Sequence, residues 1–386
     1  MKKFTLILAT VALLAAGCSK TEVVGPQNGK GINFAAYTAK TTKALQTDVT
    51  TANLSEFKVT AFGKGALYFD NLTFTKNAVS NVWESDTKYF WPVFPLTFYA
   101  FNTPYGYHTD AQKTGFGINI TTESQTLEVI PAAELANQED LVAAYAAGKT
   151  ESDATSTGNS LSLTFNHYLT QVIVKATNEN SAYKVVVDGV KIANMAGHGT
   201  YTFSTETMTA SSGSFANYTA TFNERELTSV AKEVMTNTTN NGKGKWYLIP
   251  QSVTSWDTET DYPNTNPNNG TYLALKVKIT VNNAEALKIY PATSDESGNY
   301  NSGWMAVPIP SGFIFEQGKK YTFTIHFFHN NGNTGAGYVD PKDGSDLDGD
   351  GNANDYGKKI LGGEIKFDAT VTDWDNDIHN NIEIYL

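Results

Sequence analysis

The sharpest chemical pattern in this chain of 386 residues is the run Asp346-Leu347-Asp348-Gly349-Asp350-Gly351-Asn352-Ala353-Asn354-Asp355. Carboxylates stand at its first, third and fifth positions, and a glycine stands at the sixth. In a calcium-binding loop such carboxylates converge on one ion while the glycine permits the sharp turn. The twelfth position is Gly357, where a strong loop carries a bidentate glutamate. Asp346, Asp348 and Asp350 would therefore need Asn352, and Asn354 or Asp355, to close the shell. No cofactor is required by this pattern. It offers a Ca²⁺ site of the weak, extracellular kind, and it suits a solvated acidic loop tip equally well. The surrounding stretch, 329–358, holds no strand signal, and loops of that length are usually functional or disordered.

The second reactive position is Cys18, the only cysteine. Lys2 and Lys3 precede an uncharged run from Phe4 to Leu14, which is too short to span a bilayer as a helix. The run closes in Leu14-Ala15-Ala16-Gly17-Cys18. This layout looks like a signal peptide, residues 1–17, ending in the lipobox of bacterial lipoproteins. Ala15 stands where leucine is commoner. The cysteine would be acylated and become the new N-terminus, and residues 18–30, polar and Gly-containing, read as a lipidated tether. Several acyl chains on one residue anchor stably where one does not. With a single cysteine the chain can form no internal disulfide, thiolate metal centre or cysteine-based catalytic site.

Other chemistry is not signalled. The sequence has no Gly-x-Ser-x-Gly, no His-Glu-x-x-His and no complete phosphate-binding loop, so an enzyme is not expected. His167 lies in an apolar strand pattern and reads as a core residue. His326 and His329, three apart on an extended segment, should face opposite sides and not share an ion. Six tryptophans could stack on sugar rings, yet a β-fold of this size needs most of them as core. A formal charge of −11 without a basic patch argues against nucleic acid.

Short segments with a period of two must position these residues. Ile32, Phe34 and Ala36 open the series; Phe57–Phe62, Leu96–Phe101, Leu161–Ala176, Tyr272–Val281, Tyr321–Phe328 and Gly363–Thr372 continue it. Only Ala132–Ala147, short and Ala-rich, hints at helix. Charged residues are 17% of the chain, against about 25% on average, and polar Thr, Asn, Ser and Gly fill the deficit. The length exceeds what one core usually serves. The expected architecture is all-β: two consecutive sandwiches, 31–178 and 179–386, with the joint at Asn178-Glu179-Asn180-Ser181 and the long loop at 329–358.

In this order the segments resemble the fimbrillin family of Bacteroidetes, the pilin-like subunits of type V pili. Ile32-Asn33-Phe34 followed by Thr41-Thr42-Lys43-Ala44 carries the likeness, as does Tyr89-Phe90-Trp91-Pro92 leading into Leu96–Phe101. Leu163-Thr164-Phe165-Asn166-His167, Leu248-Ile249-Pro250-Gln251 and Val371-Thr372-Asp373-Trp374 complete it. The resemblance implies transthyretin-like sandwiches, assembly with other pilus subunits by strand exchange, and display as a fimbria on the outer membrane through the lipid anchor. It also implies a host or bacterial surface ligand.

The chain ends suit that mechanism. Lys40 and Lys43 follow the first strand as cut sites, and Arg225 is the single arginine, so the protease would have to accept lysine. Ile382, Ile384 and Leu386 alternate with Glu383 and Tyr385 and give a donor strand with one apolar face. Both segments would equally serve as permanent edge strands. The rival function is a surface glycan-binding lipoprotein of a polysaccharide uptake system, which would need neither a releasable nor a donor strand.

Overall fold

The computed structural model describes residues 30–38, 48–102, 116–155, 159–235, 244–258, 270–295, 297–329, 335–363, 365–374 and 380–384. The chain is all-β, as the alternation predicts. A 3₁₀ turn, Leu135–Asn137, and a short helix α1, Glu151–Thr155, interrupt the strands.

The first nine strands are β1 Phe34–Thr38, β2 Glu56–Gly63, β3 Ala66–Lys76, β4 Trp83–Glu84, β5 Leu96–Phe101, β6 Phe116–Ile120, β7 Gln125–Val129, β8 Val142–Lys149 and β9 Leu161–His167. Seven of them close on themselves in the order β1-β4-β3-β2-β5-β8-β9. The first unit is therefore a closed barrel, because β1 runs parallel to β9 and seals the gap. Inward side chains fill it: Phe34, Phe57, Phe74, Phe98 and Phe165 are wholly buried.

The Ala-rich segment that hinted at helix is instead the loop and 3₁₀ turn before β8, and β8 itself. Tertiary packing overrides the propensity of alanine here. Ala144 and Ala146 face the barrel core, while Ala143 faces Leu127 and Tyr201 of a neighbouring sheet, so small side chains are needed on both faces.

Sixteen further strands follow. They are β10 Thr170–Asn178, β11 Tyr183–Ala196, β12 Gly199–Thr202, β13 Thr207–Ala210, β14 Phe215–Glu226, β15 Lys232–Glu233, β16 Trp246–Leu248 and β17 Gln251–Ser252. Next come β18 Tyr272–Val281, β19 Ala284–Tyr290, β20 Gly303–Pro308, β21 Ile314–Phe315, β22 Lys319–Phe327, β23 Tyr338–Val339, β24 Lys366–Asp373 and β25 Asn380–Ile384. One six-stranded sheet runs β15-β10-β22-β24-β25, with β16 also on β10; the other runs β14-β11-β18-β20-β23, with β19 also on β18. Their facing sides share one core that includes Val172, Val174, Val187, Leu275, Phe323 and Phe367. A four-stranded sheet, β13-β12-β7-β6, mixes early and late strands and packs Leu127 and Tyr201 against Tyr99 and Phe101 of the barrel.

That pairing corrects the expected joint. β10 ends at Asn178 but pairs along its length with β22, so it belongs to the second unit. The chain crosses between units at Tyr168 and Leu169, both buried. The polar cluster after Asn178 is the turn into β11.

Candidate functional site

The expected releasable strand is β1. Its alternation sends Ile32, Phe34 and Ala36 inward, each no more than 2% exposed, and leaves Tyr37 in solvent. Phe34 meets Phe74, Phe98 and Phe57 edge-on at centroid distances of 4.7, 5.4 and 6.0 Å. On one side β1 makes a full parallel ladder with β9, from Phe34↔Leu161 to Thr38↔Phe165. On the other it has a single register pair with β4, Phe34↔Trp83, extended by Ile32 N to Tyr89 O at 2.8 Å. Far from being an edge, β1 plugs a seam, and withdrawing it would leave a strand-shaped groove between β4 and β9.

Lys40 and Lys43 lie outside the described residues, as do Cys18 and the tether. The residues flanking 39–47 are held independently. Thr38 N and Thr51 N each donate to the other residue's hydroxyl, at 2.8 and 2.9 Å. Asp48, on the far side, is buried and accepts from Gln171 Nε2, Tyr247 Oη and Lys245 Nζ at 2.6–2.7 Å.

At the other end, among the described residues β25 pairs only with β24, from Phe367↔Ile384 to Val371↔Asn380, and so lies at an edge of its sheet. Leu386 and the side chains of Ile382 and Ile384 lie outside the described residues. Glu383 stands opposite Asp368 in this register.

The acidic run lies in a loop with its own anchors. β23 pairs with β20, and Val339, Asp340, Asp355 and Ile360 are buried. The carboxylates of Asp346, Asp348 and Asp355 come within 4.8 Å of one another. Asp350, Asn352 and Asn354 are exposed, and the Asp350 carboxylate accepts from Asn352 N at 2.7 Å. Burial pulls the Asp346 carboxyl upward, but hydrogen bonds from the Thr293 hydroxyl and the amides of Gly349, Gly351 and Asp350 outweigh it and hold the group below the usual carboxylate range.

Lys358 supplies the positive charge. Its ammonium pairs with Asp355 and reaches Asp348 at 3.1 Å. Hydrogen bonds to these two carboxylates raise the lysine above its usual value. A calcium ion would therefore have to displace a resident ammonium. Replacing Lys358 by Gln is expected to strengthen Ca²⁺ binding about tenfold in calorimetry at millimolar calcium. The calcium assignment fails if neither protein gives heat, or if Asp348→Ala/Asp350→Ala leaves the heat unchanged.

Two expectations about side chains meet different fates. His167 is a core residue: its Nδ1 lies 2.8 Å from Asp140 Oδ2 and its ring stacks on Trp374 at 4.3 Å. Trp83, Trp91, Trp246, Trp256 and Trp374 are buried, and Trp304 is half-buried beneath the Lys191 ammonium. His326 and His329, however, do not face apart. Both Nδ1 atoms lie 2.7 Å from the carboxylate of Glu179, one on each oxygen. The alternation breaks at Phe328, which has a left-handed backbone with φ of 56°. No local sequence signal marks a phenylalanine for that conformation, so spacing alone gave the wrong face.

Comparison with known proteins follows the fold. A family model described as fimbrillin-like matches residues 42–341. The crystal structure of a candidate cell adhesion protein from Parabacteroides distasonis superposes with a TM-score of 0.50 at 11% identity, covering 91% of this chain and 99% of that one. A fimbrial protein from Bacteroides vulgatus aligns at 17% identity and a TM-score of 0.46, covering 77% and 94%. Among curated proteins none matches the sequence.

Proposed function

The chain belongs to the fimbrillin-like family, and from that premise we propose that it is a structural subunit of a cell-surface fimbria, assembled by strand exchange once β1 has been cut away. The family role is structural or adhesive and non-enzymatic. The observation that carries the finer reading is the seam: β1 fills the barrel's aromatic core, and the chain beyond 39–47 is separately anchored at Asp48.

Removing β1 would wet Phe57, Phe74 and Phe98 and leave the β9 ladder unpaired, at about 1–3 kcal/mol for each backbone group left buried without a partner. A strand from a neighbour restores both ladder and core, as in donor-strand complementation. β25 is the proposed donor, because an edge strand with one partner can leave without breaking a second ladder. Cys18 is the proposed lipid anchor to the outer membrane, and other subunits of the fibre are the partners. The glycan-binding alternative gains little support from the tryptophans, since all but the half-buried Trp304 are packed inside.

The test is an unheated gel of surface extract, in which a polymer runs as a ladder. Lys40→Ala/Lys43→Ala, and separately deletion of 382–386, are each expected to collapse the ladder to a single band. If both variants polymerise as the parent does, strand exchange is not this protein's mode of assembly. Fatty-acid labelling that persists in Cys18→Ala would remove the anchor.

A further inference from the structure

We infer that Glu179, His326 and His329 form a binding site for a divalent transition-metal ion of the zinc class. The site is made by the ends of two parallel strands. Glu179 is the residue after β10, His326 is the penultimate residue of β22, and His329 lies just beyond it.

An extended chain would turn the two histidines to opposite faces, and Phe328 prevents this. A bulky residue with φ near 56° is uncommon and strained, and such strain persists only where the surroundings hold it. Here Phe328 is 2% exposed, its ring lies on Tyr183 at 4.5 Å, and its amide donates to Gly335 O at 3.3 Å. The core thus fixes the backbone turn that brings both imidazoles to one carboxylate.

The donor set has the chemistry of a specific metal class. Two imidazole nitrogens and one carboxylate oxygen, all within 4.8 Å of one another, suit zinc, copper or nickel. Calcium and magnesium prefer oxygen alone. Side-chain exposures of 14–25% leave room for water as a fourth ligand.

A second carboxylate stands behind the first histidine: Asp368 Oδ2 lies 3.0 Å from His326 Nε2. A carboxylate on the far side of a ligand histidine is the usual outer partner of a metal site, since it favours the proton on the distal nitrogen and frees the near lone pair. The arrangement also explains why His326 sits between two acids. Only the imidazolium could offer a proton to both Glu179 and Asp368, whereas an ion at Nδ1 would satisfy Glu179 while Nε2–H faces Asp368. Among the described residues, further polar neighbours are the Thr177 hydroxyl, 3.2 Å from His326 Nδ1, and Lys366 Nζ, 3.5 Å from Asp368 Oδ1. With metal–donor distances of about 2.0–2.2 Å, the ion would lie between the two Nδ1 atoms and the Glu179 carboxylate. It would cross-link the ends of β10 and β22 in the sheet that carries β25. The inference does not depend on the fibre reading.

The experiment is calorimetric titration of the untagged full chain in detergent with ZnCl₂, alongside Co²⁺ absorption in the visible. One ion per chain is expected, in the micromolar range, with a Co²⁺ spectrum of a low-symmetry nitrogen and oxygen site. His326→Gln/His329→Gln should abolish both signals while circular dichroism stays unchanged. Asp368→Asn should weaken zinc about 10–100-fold. Absence of the Co²⁺ band in the parent overturns the site, and so does unchanged zinc binding in the double variant. A variant that loses its fold is replaced by Glu179→Gln, from which the same loss is expected.

Discussion

Phe34→Ala is expected to lower the stability of the barrel by about 3–5 kcal/mol, the cost of a phenylalanine removed from a packed core. The side chain is wholly buried and meets three other phenylalanines, so the hole cannot close by a single neighbour's movement. The adjacent Tyr37, 52% exposed on the same strand, is the control, and Tyr37→Ala should change stability by no more than about 0.5 kcal/mol. The measurement is the urea midpoint of tryptophan emission, since Trp83 and Trp91 report from inside the barrel. Equal midpoints for the two variants would mean that the core does not rely on β1. In that case its removal would open no groove for a neighbour's strand, and the proposed assembly would lose its physical motive.

The inward face of β1 was legible because alternation is local: Ile32, Phe34 and Ala36 declare it within five residues. What β1 pairs with was not. Its ladder partner begins at Leu161, and parallel pairing across such a separation leaves no mark in either segment. The crossing between units was hidden for a related reason. Tyr168 and Leu169 are apolar because they pack into the shared cluster with Tyr201 and Trp374, so the true joint lacks the polar composition by which joints are sought. The polar Asn178-Glu179-Asn180-Ser181 has that composition and is only a turn between two strands of the same unit.

The sites divide along the same line. Alternating acids at Asp346, Asp348 and Asp350 are a local pattern, but the carboxylates that gather are those of Asp346, Asp348 and Asp355, with Asp350 left exposed. Their counter-charge, Lys358, stands three residues after Asp355 and was equally visible, but its reach to Asp348 depends on the fold of the turn. The Glu179 cluster needed two non-local facts, the parallel register of β10 and β22 and the backbone of Phe328. Residue spacing carries neither.

Asp48→Ala is expected to cost about 3–5 kcal/mol, because it strands the Lys245 ammonium in a buried site. The side chains of Asp48 and Lys245 are 3% and 5% exposed and lie 2.7 Å apart. Gln171 Nε2 and Tyr247 Oη, which also donate to the Asp48 carboxylate, would lose an acceptor in the same step. The pair sits where the units meet. Next in sequence, Val49 N donates to Asp140 Oδ2 at 3.0 Å, and Asp140 in turn contacts His167, whose ring stacks on Trp374. Loss of Asp48 should therefore loosen the barrel from the second unit as well as destabilise it, read as earlier exposure of Trp374 in urea. Asp48→Ala/Lys245→Met removes the stranded charge and should recover most of the loss, a coupling that double-mutant analysis isolates. If the double variant is no better than the single, the cost lies in the hydrogen bonds to Gln171 and Tyr247 and not in the charge. The position also matters for assembly. After the proposed cut at Lys40 or Lys43, Asp48 would lie close behind the new N-terminus, so the buried pair would help keep that end docked while the groove beside β9 stands open.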